Sequence, residues 1–138
     1  MLKRNKIIID TNLWISFLIS KNYVFIDKLI QKKQVKLVFC NELLAEFLQV
    51  VKRPKLEKYF QNEDVVQLIE IIDQFAEFYT LKSIENICRD PKDNFLLALA
   101  NESDANFLIT GDKDLLEIKK FKNTEIITIS DYKEFIQR

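Results

Sequence analysis

The chain has 138 residues, 48% of them hydrophobic, which is typical of one domain with one core. Its 21 basic and 21 acidic residues give a formal net charge of zero, so no overall positive field predicts binding to nucleic acid or an anionic membrane. The chain has no histidine, two cysteines and one glycine. This composition excludes histidine-based catalytic triads, zinc sites that need histidine or four cysteines, and glycine-rich phosphate loops.

The remaining reactive groups are carboxylates, hydroxyls and lysines, and a metal bound to them would be an oxygen-preferring ion such as Mg²⁺ or Mn²⁺. Cys40 and Cys88 lie far apart without CxxC spacing, which favours reduced thiols in an intracellular protein. The first apolar stretch stops at Asp10, so it fits neither a signal peptide nor a membrane span. We therefore expect a cytoplasmic protein with no membrane segment.

Strands and helices are predicted to alternate along the chain. In chain order the pattern predicts a strand at 6–10, helices at 11–20 and 24–33, a strand at 35–39, helices at 41–53, 63–78 and 90–103, a strand at 106–110, a helix at 112–118, a strand at 125–129 and a helix at 130–138. This alternation indicates a parallel sheet covered by helices on both faces. We expect an α/β fold, a three-layer α/β/α sandwich with a central parallel sheet, in a single domain over residues 1–138.

Two apolar strands run directly into acidic residues. The stretch "IIIDTN" at 7–12 ends its isoleucine run at Asp10, and "NFLIT" at 106–110 is followed by Gly111 and Asp112. Parallel sheets bind ligands beyond the carboxyl ends of their strands, so both acids are candidates for a site there. Each aspartate would equally serve as the N-cap of the next helix. Gly111 fits an unusual φ or a close ligand approach, although a tight turn alone would also explain it.

Two further acids lie on predicted helices. On the helix after 41, Glu46 falls at the border of the apolar face, whereas Glu42 lies near the opposite pole and is expected to be solvated. Asp93 falls within a broad apolar arc of its helix, and Asp90 before Pro91 has a sufficient role as N-cap. Because clustered carboxylates repel each other, a group of such acids would need cations to neutralise it.

These stretches together resemble the PIN domain, and within it the branch of toxins related to the VapC ribonucleases of toxin–antitoxin systems. The resemblance covers essentially the whole chain and is carried, in order, by "IIIDTN", "NELLAEFLQVVKRPKLEKYF", "RDPKDNFLLALANESDANFLITGDKDLL" and "EIITISDYKEF". It implies a PIN-like fold and an acidic pocket that binds one or two Mg²⁺ or Mn²⁺ ions and hydrolyses RNA phosphodiesters. It also implies a cognate antitoxin protein as partner, and a homodimer.

Carried over by position, the family's four catalytic and metal-binding acids fall on Asp10, Glu46, Asp93 and Asp112. By the same resemblance Asp114 is an accessory acid, and two polar residues line the pocket. Those two are Asn12 and Thr110. Ordinary structure would explain them as well, since Asn12 suits a helix start and Thr110 suits a strand.

RNA must also be held, and lysine or arginine contacts to phosphates are the general source of affinity. The candidates for this role are exposed bases, most of which are solvated charges in an average protein: Lys52, Arg53, Lys55, Lys58 and Lys113. Trp14 and Tyr59 would stack on bases if their rings were exposed.

Three other functions stay open on the residues alone. One is a PIN nuclease of RNA processing or turnover, which an absent antitoxin gene would favour. Another is a non-catalytic PIN-like module that binds RNA or protein, although no acid of the pattern is missing. The last is a phosphotransfer domain with acids at strand ends; the dehalogenase type wants an aspartate where Asn12 stands, and the receiver type wants adjacent acids near the first strand.

Overall fold

A computed structural model of the chain describes residues 5–20, 35–59, 62–82 and 91–137. The strands within these residues are β1 (Asn5–Ile9), β2 (Val35–Phe39), β3 (Ala76–Phe78), β4 (Phe107–Ile109), β5 (Lys120–Phe121) and β6 (Thr124–Ile127). The α-helices are α1 (Thr11–Ser20), α2 (Asn41–Val51), α3 (Asn62–Phe75), α4 (Pro91–Ser103), α5 (Lys113–Ile118) and α6 (Ile129–Gln137), with a 3₁₀ helix at Pro54–Tyr59 between α2 and α3.

The strands form one sheet in the order β3-β2-β1-β4-β6-β5. All neighbours are parallel except β5, which pairs antiparallel with β6 at one edge. With helices flanking this sheet, the predicted α/β/α sandwich is confirmed, with a mostly parallel rather than wholly parallel sheet. After β1 the chain forms β2, which pairs with one side of β1, and later forms β4, which pairs with the other side of β1. The junction between β1 and β4 is therefore the topological switch point of the sheet.

The structure differs from the predicted elements at β3 and β5, and one predicted helix lies outside the described residues. The helix predicted at 63–78 ends at Phe75, and residues 76–78 form β3, in register with β2 through the pair Leu37 and Ala76. The two-residue strand β5 was not predicted at all. Both strands are too short to show an alternating pattern, and only their pairing with a neighbour defines them. The helix predicted at 24–33 lies outside the described residues.

Apolar side chains bury both faces of the central strands. The last three residues of β1, β2 and β4 are all buried, as expected for parallel strands covered on both sides. Trp14 of α1 is buried against Phe39 of β2, with ring centroids 5.7 Å apart, so the indole is part of the core and does not stack on bases. Cys40 is a buried free thiol, and Cys88 lies outside the described residues.

Helices α2 and α3 follow β2 in the chain and precede β3. Helix α2 begins directly after the carboxyl end of β2, contacts α1 and α4, and leads through the 3₁₀ helix towards α3. Helix α3 packs against β2 and β3, and its last residue, Phe75, leads directly into the amino end of β3.

Lys119 ends α5 in a conformation that costs stability. Its φ of 66° and ψ of −48° lie in a region that L-residues rarely adopt, while its N–H donates to Leu116 O at 3.1 Å and its carbonyl accepts from Ile126 N at 2.9 Å. We predict that Lys119→Gly raises the free energy of unfolding by about 1 kcal/mol, because glycine adopts this φ without strain. Urea unfolding followed by circular dichroism measures the change.

The matched control is Lys120→Gly, one residue further along in the extended strand β5. Glycine there should lower the free energy of unfolding by about 0.5 to 1 kcal/mol, since it only adds conformational entropy to the unfolded chain. Equal losses in both variants would contradict the role assigned to the backbone of Lys119.

Candidate functional site

Asp10 lies at the switch point, one residue beyond the carboxyl end of β1. Its backbone N–H donates to Ile109 O at 3.1 Å, and the N–H of Thr110 donates to Ile127 O at 3.0 Å. The strand ladder thus continues past the ends of β1 and β4 and holds Asp10 and Thr110 side by side. This placement agrees with the prediction that both strands lead into polar residues at one edge of the sheet.

The Asp10 carboxylate is buried and held at both oxygens. The N–H of Leu13 donates to Oδ1 at 2.9 Å, so Asp10 is the N-cap of α1, and the Thr110 hydroxyl donates to Oδ2. Only 6% of Asp10 is exposed. Burial raises the pKa of Asp10, the neighbouring charge of Asp112 adds to the rise, and the hydrogen bonds from Thr110, Leu13 and Gly111 oppose it. A cation close to Asp10 would offset this cost of burying its charge.

Thr110 links Asp10 to Asp112. The Thr110 hydroxyl is fully buried, donates to Asp10 and accepts from the N–H of Asp112 at 3.1 Å. Asp112 in turn caps α5, since its Oδ1 accepts from the N–H of Asp114 at 2.8 Å. Both predicted strand-end acids are therefore helix caps, yet one threonine hydroxyl also connects them across the junction of β1 and β4. The capping role and a shared site are compatible.

Gly111 does not adopt an unusual backbone conformation. None of the described glycines has a positive φ, and a Cβ added at Gly111 would meet no protein atom within 4 Å. Of the explanations offered for this glycine, the unusual φ is therefore wrong, whereas a tight turn or a close ligand approach is compatible with the structure. The missing side chain of Gly111 leaves open space beside Asp112. A ligand could therefore approach the exposed backbone of Gly111.

The other two predicted acids lie on helices α2 and α4. Glu46 in the middle of α2 is half-buried and Glu42 is exposed, which confirms the predicted border and solvated positions. Asp93 in the first turn of α4 is also half-buried, and α4 packs against α2, β1 and β4. The predicted N-cap Asp90 lies outside the described residues.

The acids have a donor set suited to a hard cation, although they do not form a compact group. Within residues 5–20, 35–59, 62–82 and 91–137, no three side chains of histidine, cysteine, aspartate or glutamate lie close enough together to hold a metal ion. Asp10, with Asp112 near enough to raise its pKa, is the best-assembled pair. Carboxylate and hydroxyl oxygens are the ligands of Mg²⁺ and Mn²⁺, so the residues fit such an ion chemically.

Thr11 and Asn94 are buried polar residues that the sequence reasoning missed. Thr11 follows Asp10, and its buried hydroxyl has no hydrogen-bond partner among the described residues. Asn94 follows Asp93 and is only 3% exposed. The signal available in the sequence was position: each is a polar residue directly after a candidate acid, at the start of a helix that packs against the core.

The remaining candidates lie at the surface or at the rim. Asn12 is exposed in the first turn of α1, and Asp114 is half-buried in α5. Lys113 is exposed and lies in the chain between Asp112, the N-cap of α5, and Asp114. The other predicted phosphate contacts are exposed between α2 and α3: Lys52, Arg53, Lys55 and Lys58.

The raised pKa of Asp10 predicts that its charge destabilises the metal-free protein. A carboxyl whose folded pKa lies above its unfolded value of 3.8 stabilises the fold below that pH, and the contribution is lost as pH rises through the folded pKa. In chelator at pH 7, Asp10→Asn should therefore raise the midpoint of thermal unfolding, because asparagine keeps the cap and removes the buried charge. The gain should shrink steadily towards pH 3.

Thermal unfolding at a series of pH values measures this effect, with Glu125→Gln as the control. Glu125 is an exposed acid of β6 that pairs with Phe107 at the amino end of β4, whereas Asp10 lies beyond the carboxyl end of β1, so its neutralisation should leave the midpoint nearly unchanged. A loss of stability in Asp10→Asn at pH 7 would contradict the assignment of burial as the dominant effect on Asp10.

Comparisons with known proteins place these residues in a family. The family model described as the PIN domain matches residues 6–114, which include all four candidate acids. An uncharacterized protein of Methanocaldococcus jannaschii, MJ1680, is 33% identical over 144 residues, covering 96% of this chain and 90% of that protein. In the described residues, no helix is long and apolar enough to cross a membrane.

A solved structure has a similar fold. It is the crystal structure of VapBC2 from Rickettsia felis bound to a DNA fragment from its promoter, and one of its chains aligns with a TM-score of 0.57 at 16% identity, covering 88% of this chain and 96% of that chain. At that identity the similarity shows a shared fold. The match to residues 6–114 spans well over half of the chain, and the chain therefore belongs to the PIN domain family.

Proposed function

We propose that this chain is a metal-dependent endoribonuclease that cleaves RNA at the carboxyl edge of its sheet. PIN domains are generally nucleases, and the observation that carries the proposal is the buried Asp10 carboxylate, hydrogen-bonded to Thr110 at the switch point beside Asp112. A buried carboxylate with a raised pKa in a ligand-binding crevice is typical of a functional site. N-capping of α1 alone would need only one of the two carboxylate oxygens of Asp10.

In this proposal four acids bind the metal ions or orient the attacking water. Asp10 and Asp112 would hold one Mg²⁺ or Mn²⁺ ion directly, and Asp93 would bind or orient a second. Glu46 would bind an ion through water or orient the attacking water. When bound, such an ion polarises the phosphodiester and neutralises the charge that develops on its oxygens. Asp114 and Asn12 would act as accessory polar groups at the rim.

Thr110 would fix the orientation of Asp10. Its hydroxyl donates to Asp10 Oδ2 and accepts from the N–H of Asp112, so the direction of both hydrogen bonds is set by the backbone. The Asp10 lone pairs that remain are those pointing away from Thr110 and Leu13. A carboxylate held in this way presents a fixed set of oxygens instead of rotating, which reduces the cost of organising the site during reaction.

The reaction would be hydrolysis of a diester. A water oxygen bonds to phosphorus, the bond from phosphorus to the 3′ oxygen breaks, and the protons of the water are shared between solvent and the departing oxygen. The products carry a 5′-phosphate and a 3′-hydroxyl. The half-buried position of Glu46 in α2 suits a group that accepts a hydrogen bond from the attacking water.

We further propose that the chain is the toxin of a type II toxin–antitoxin pair in the cytoplasm. The similar solved fold belongs to VapBC2, and all four acids of the family are kept here. A cognate antitoxin would be its protein partner, and a homodimer its assembly. Two large apolar side chains of α3, Val66 and Phe75, are exposed and would suit either contact. A small antitoxin gene next to this one would separate this role from RNA processing or turnover.

The direct test is RNA cleavage by the purified chain with Mn²⁺, with Mg²⁺ and with chelator. We expect metal-dependent cleavage by the unmodified chain and only background cleavage by Asp10→Asn, since asparagine keeps the N-cap and removes the negative ligand. Glu125→Gln, which neutralises an exposed acid away from the site, should cleave like the unmodified chain. Unchanged cleavage by folded Asp10→Asn would overturn the assignment, and binding without cleavage would favour the non-catalytic module.

Thr110→Val tests the orienting hydroxyl separately. Valine keeps the shape of the buried side chain but removes the hydrogen bond to Asp10, and loss of a group that orients a metal ligand typically costs 10- to 100-fold in activity or metal affinity. Thr110→Ser restores the hydroxyl and should recover most of the activity. Equal activity in the valine and serine variants would show that the hydroxyl has only a packing role.

Metal binding has a readout independent of cleavage. A ligand that binds only the folded chain stabilises it by about 2.7 kcal/mol at 100 times its dissociation constant, so saturating Mn²⁺ should raise the midpoint of thermal unfolding. The rise should be absent in Asp10→Asn. An equal rise in both proteins would place the ion elsewhere.

A further inference from the structure

A strongly basic segment joins α2 to α3. Residues 52–59, "KRPKLEKY", contain four bases and one acid in a chain whose formal net charge is zero. We call this stretch the basic segment. Its four bases are all exposed: Lys52, Arg53, Lys55 and Lys58. The segment is therefore a local concentration of positive charge, and the rest of the chain carries a net negative charge.

No acid of the described residues forms an ion pair with the basic segment. Ion pairs between described residues join, for example, Lys36 to Glu77 at 2.6 Å and Lys82 to Glu102 at 3.6 Å, and neither involves residues 52–59. Exposed bases on a surface usually alternate with acids and pair with some of them. Four bases without such a pair create a positive potential that favours a polyanion.

The segment also presents an aromatic ring. Tyr59 is 42% exposed, and Lys58 Nζ lies 5.0 Å from the centre of its ring. Leu56 is half-buried against the core, so the 3₁₀ helix is anchored from below while its charged and aromatic groups face outward. A cation beside an exposed tyrosine on an anchored turn combines a phosphate contact with a surface on which a base can stack.

The basic segment continues directly from α2, the helix that carries Glu46. Helix α2 starts at the carboxyl end of β2, and β2 is the parallel neighbour of β1, whose carboxyl end leads into Asp10. Lys52 follows Glu46 by six residues, which is about 9 Å along a helix axis. A strand of nucleic acid that has one phosphodiester beside Glu46 would therefore have its neighbouring nucleotides within reach of the segment.

We propose that the basic segment holds single-stranded RNA, with Arg53, Lys55 and Lys58 on phosphates and Tyr59 under one base, a few nucleotides from the bond that is cut. The inference rests on the proposed function and names where its substrate is held. Single-stranded RNA is favoured over a duplex because a base can stack on Tyr59 only when it is free of its own helix. It is favoured over an acidic protein segment because the exposed ring adds nothing to a purely electrostatic contact.

The experiment measures binding in an Asp10→Asn background, so that the RNA is not cut. The probe is a fluorescein-labelled 12-nucleotide single-stranded RNA, titrated by anisotropy at several salt concentrations. The test variant adds Arg53→Gln, Lys55→Gln and Lys58→Gln. The control variant adds Lys119→Gln, Lys120→Gln and Lys122→Gln, which removes the same charge from exposed bases at the β5 edge, at the other end of the sheet order.

We expect the test variant to bind the RNA at least about tenfold more weakly than the control at low salt. The slope of log Kd against log salt should fall by about two, because each single-strand phosphate contact contributes about 0.7 to it. Tyr59→Leu should weaken binding by about fivefold or more, whereas Tyr59→Phe should keep it, since stacking needs the ring and not the hydroxyl.

Four results would overturn the inference. They are equal affinity and slope in the test and control variants, no measurable RNA binding by the Asp10→Asn chain, equal or tighter binding to a duplex of the same sequence, and an equal loss of binding to a 12-residue glutamate peptide in the test variant. Cleavage is assayed separately on the unmodified chain. If that chain does not cut RNA but the expected binding differences are found, the proposed function fails while this inference stands.

Discussion

The hydrogen bond between the Thr110 hydroxyl and the Asp10 carboxylate is the contact on which the site depends. It crosses the junction of β1 and β4, the topological switch point of the sheet. The strand ladder fixes the two backbones beside each other. Helix α1 starts from Asp10 and helix α5 from Asp112, so both helices begin at groups to which the proposal assigns chemistry.

Charge limits how closely the remaining acids can approach this contact in the absence of a cation. Ionised carboxylates repel each other, and burial raises the pKa of Asp10 further, so a dense group of four acids would be unstable without positive charge. Glu46 and Asp93 are half-buried on α2 and α4, which leaves their charges partly solvated. A bound cation would supply the positive charge that lets such acids converge.

The sequence predicted the parts of this arrangement that depend on local pattern. Apolar runs ending in acids gave the positions of Asp10 and Asp112, and helical spacing gave the border position of Glu46. It failed where structure depends on a distant partner: β3 and β5 exist only because β2 and β6 pair with them. Trp14, named as a candidate for stacking, is core because α1 packs on Phe39, which no local pattern reveals. Similarly, the bond from Thr110 to Asp10 joins residues 100 positions apart.

The double role of Asp10 restricts how this protein can lose its chemistry during evolution. One carboxylate oxygen starts α1, and the other meets Thr110. Replacement by alanine would remove the helix cap and leave a buried hydroxyl without its acceptor, whereas asparagine would retain an oxygen for one of these bonds. Descendants of this chain that survive as inactive paralogues should therefore carry asparagine at position 10 more often than alanine. An intact fold in such a gene is then no sign of an intact nuclease.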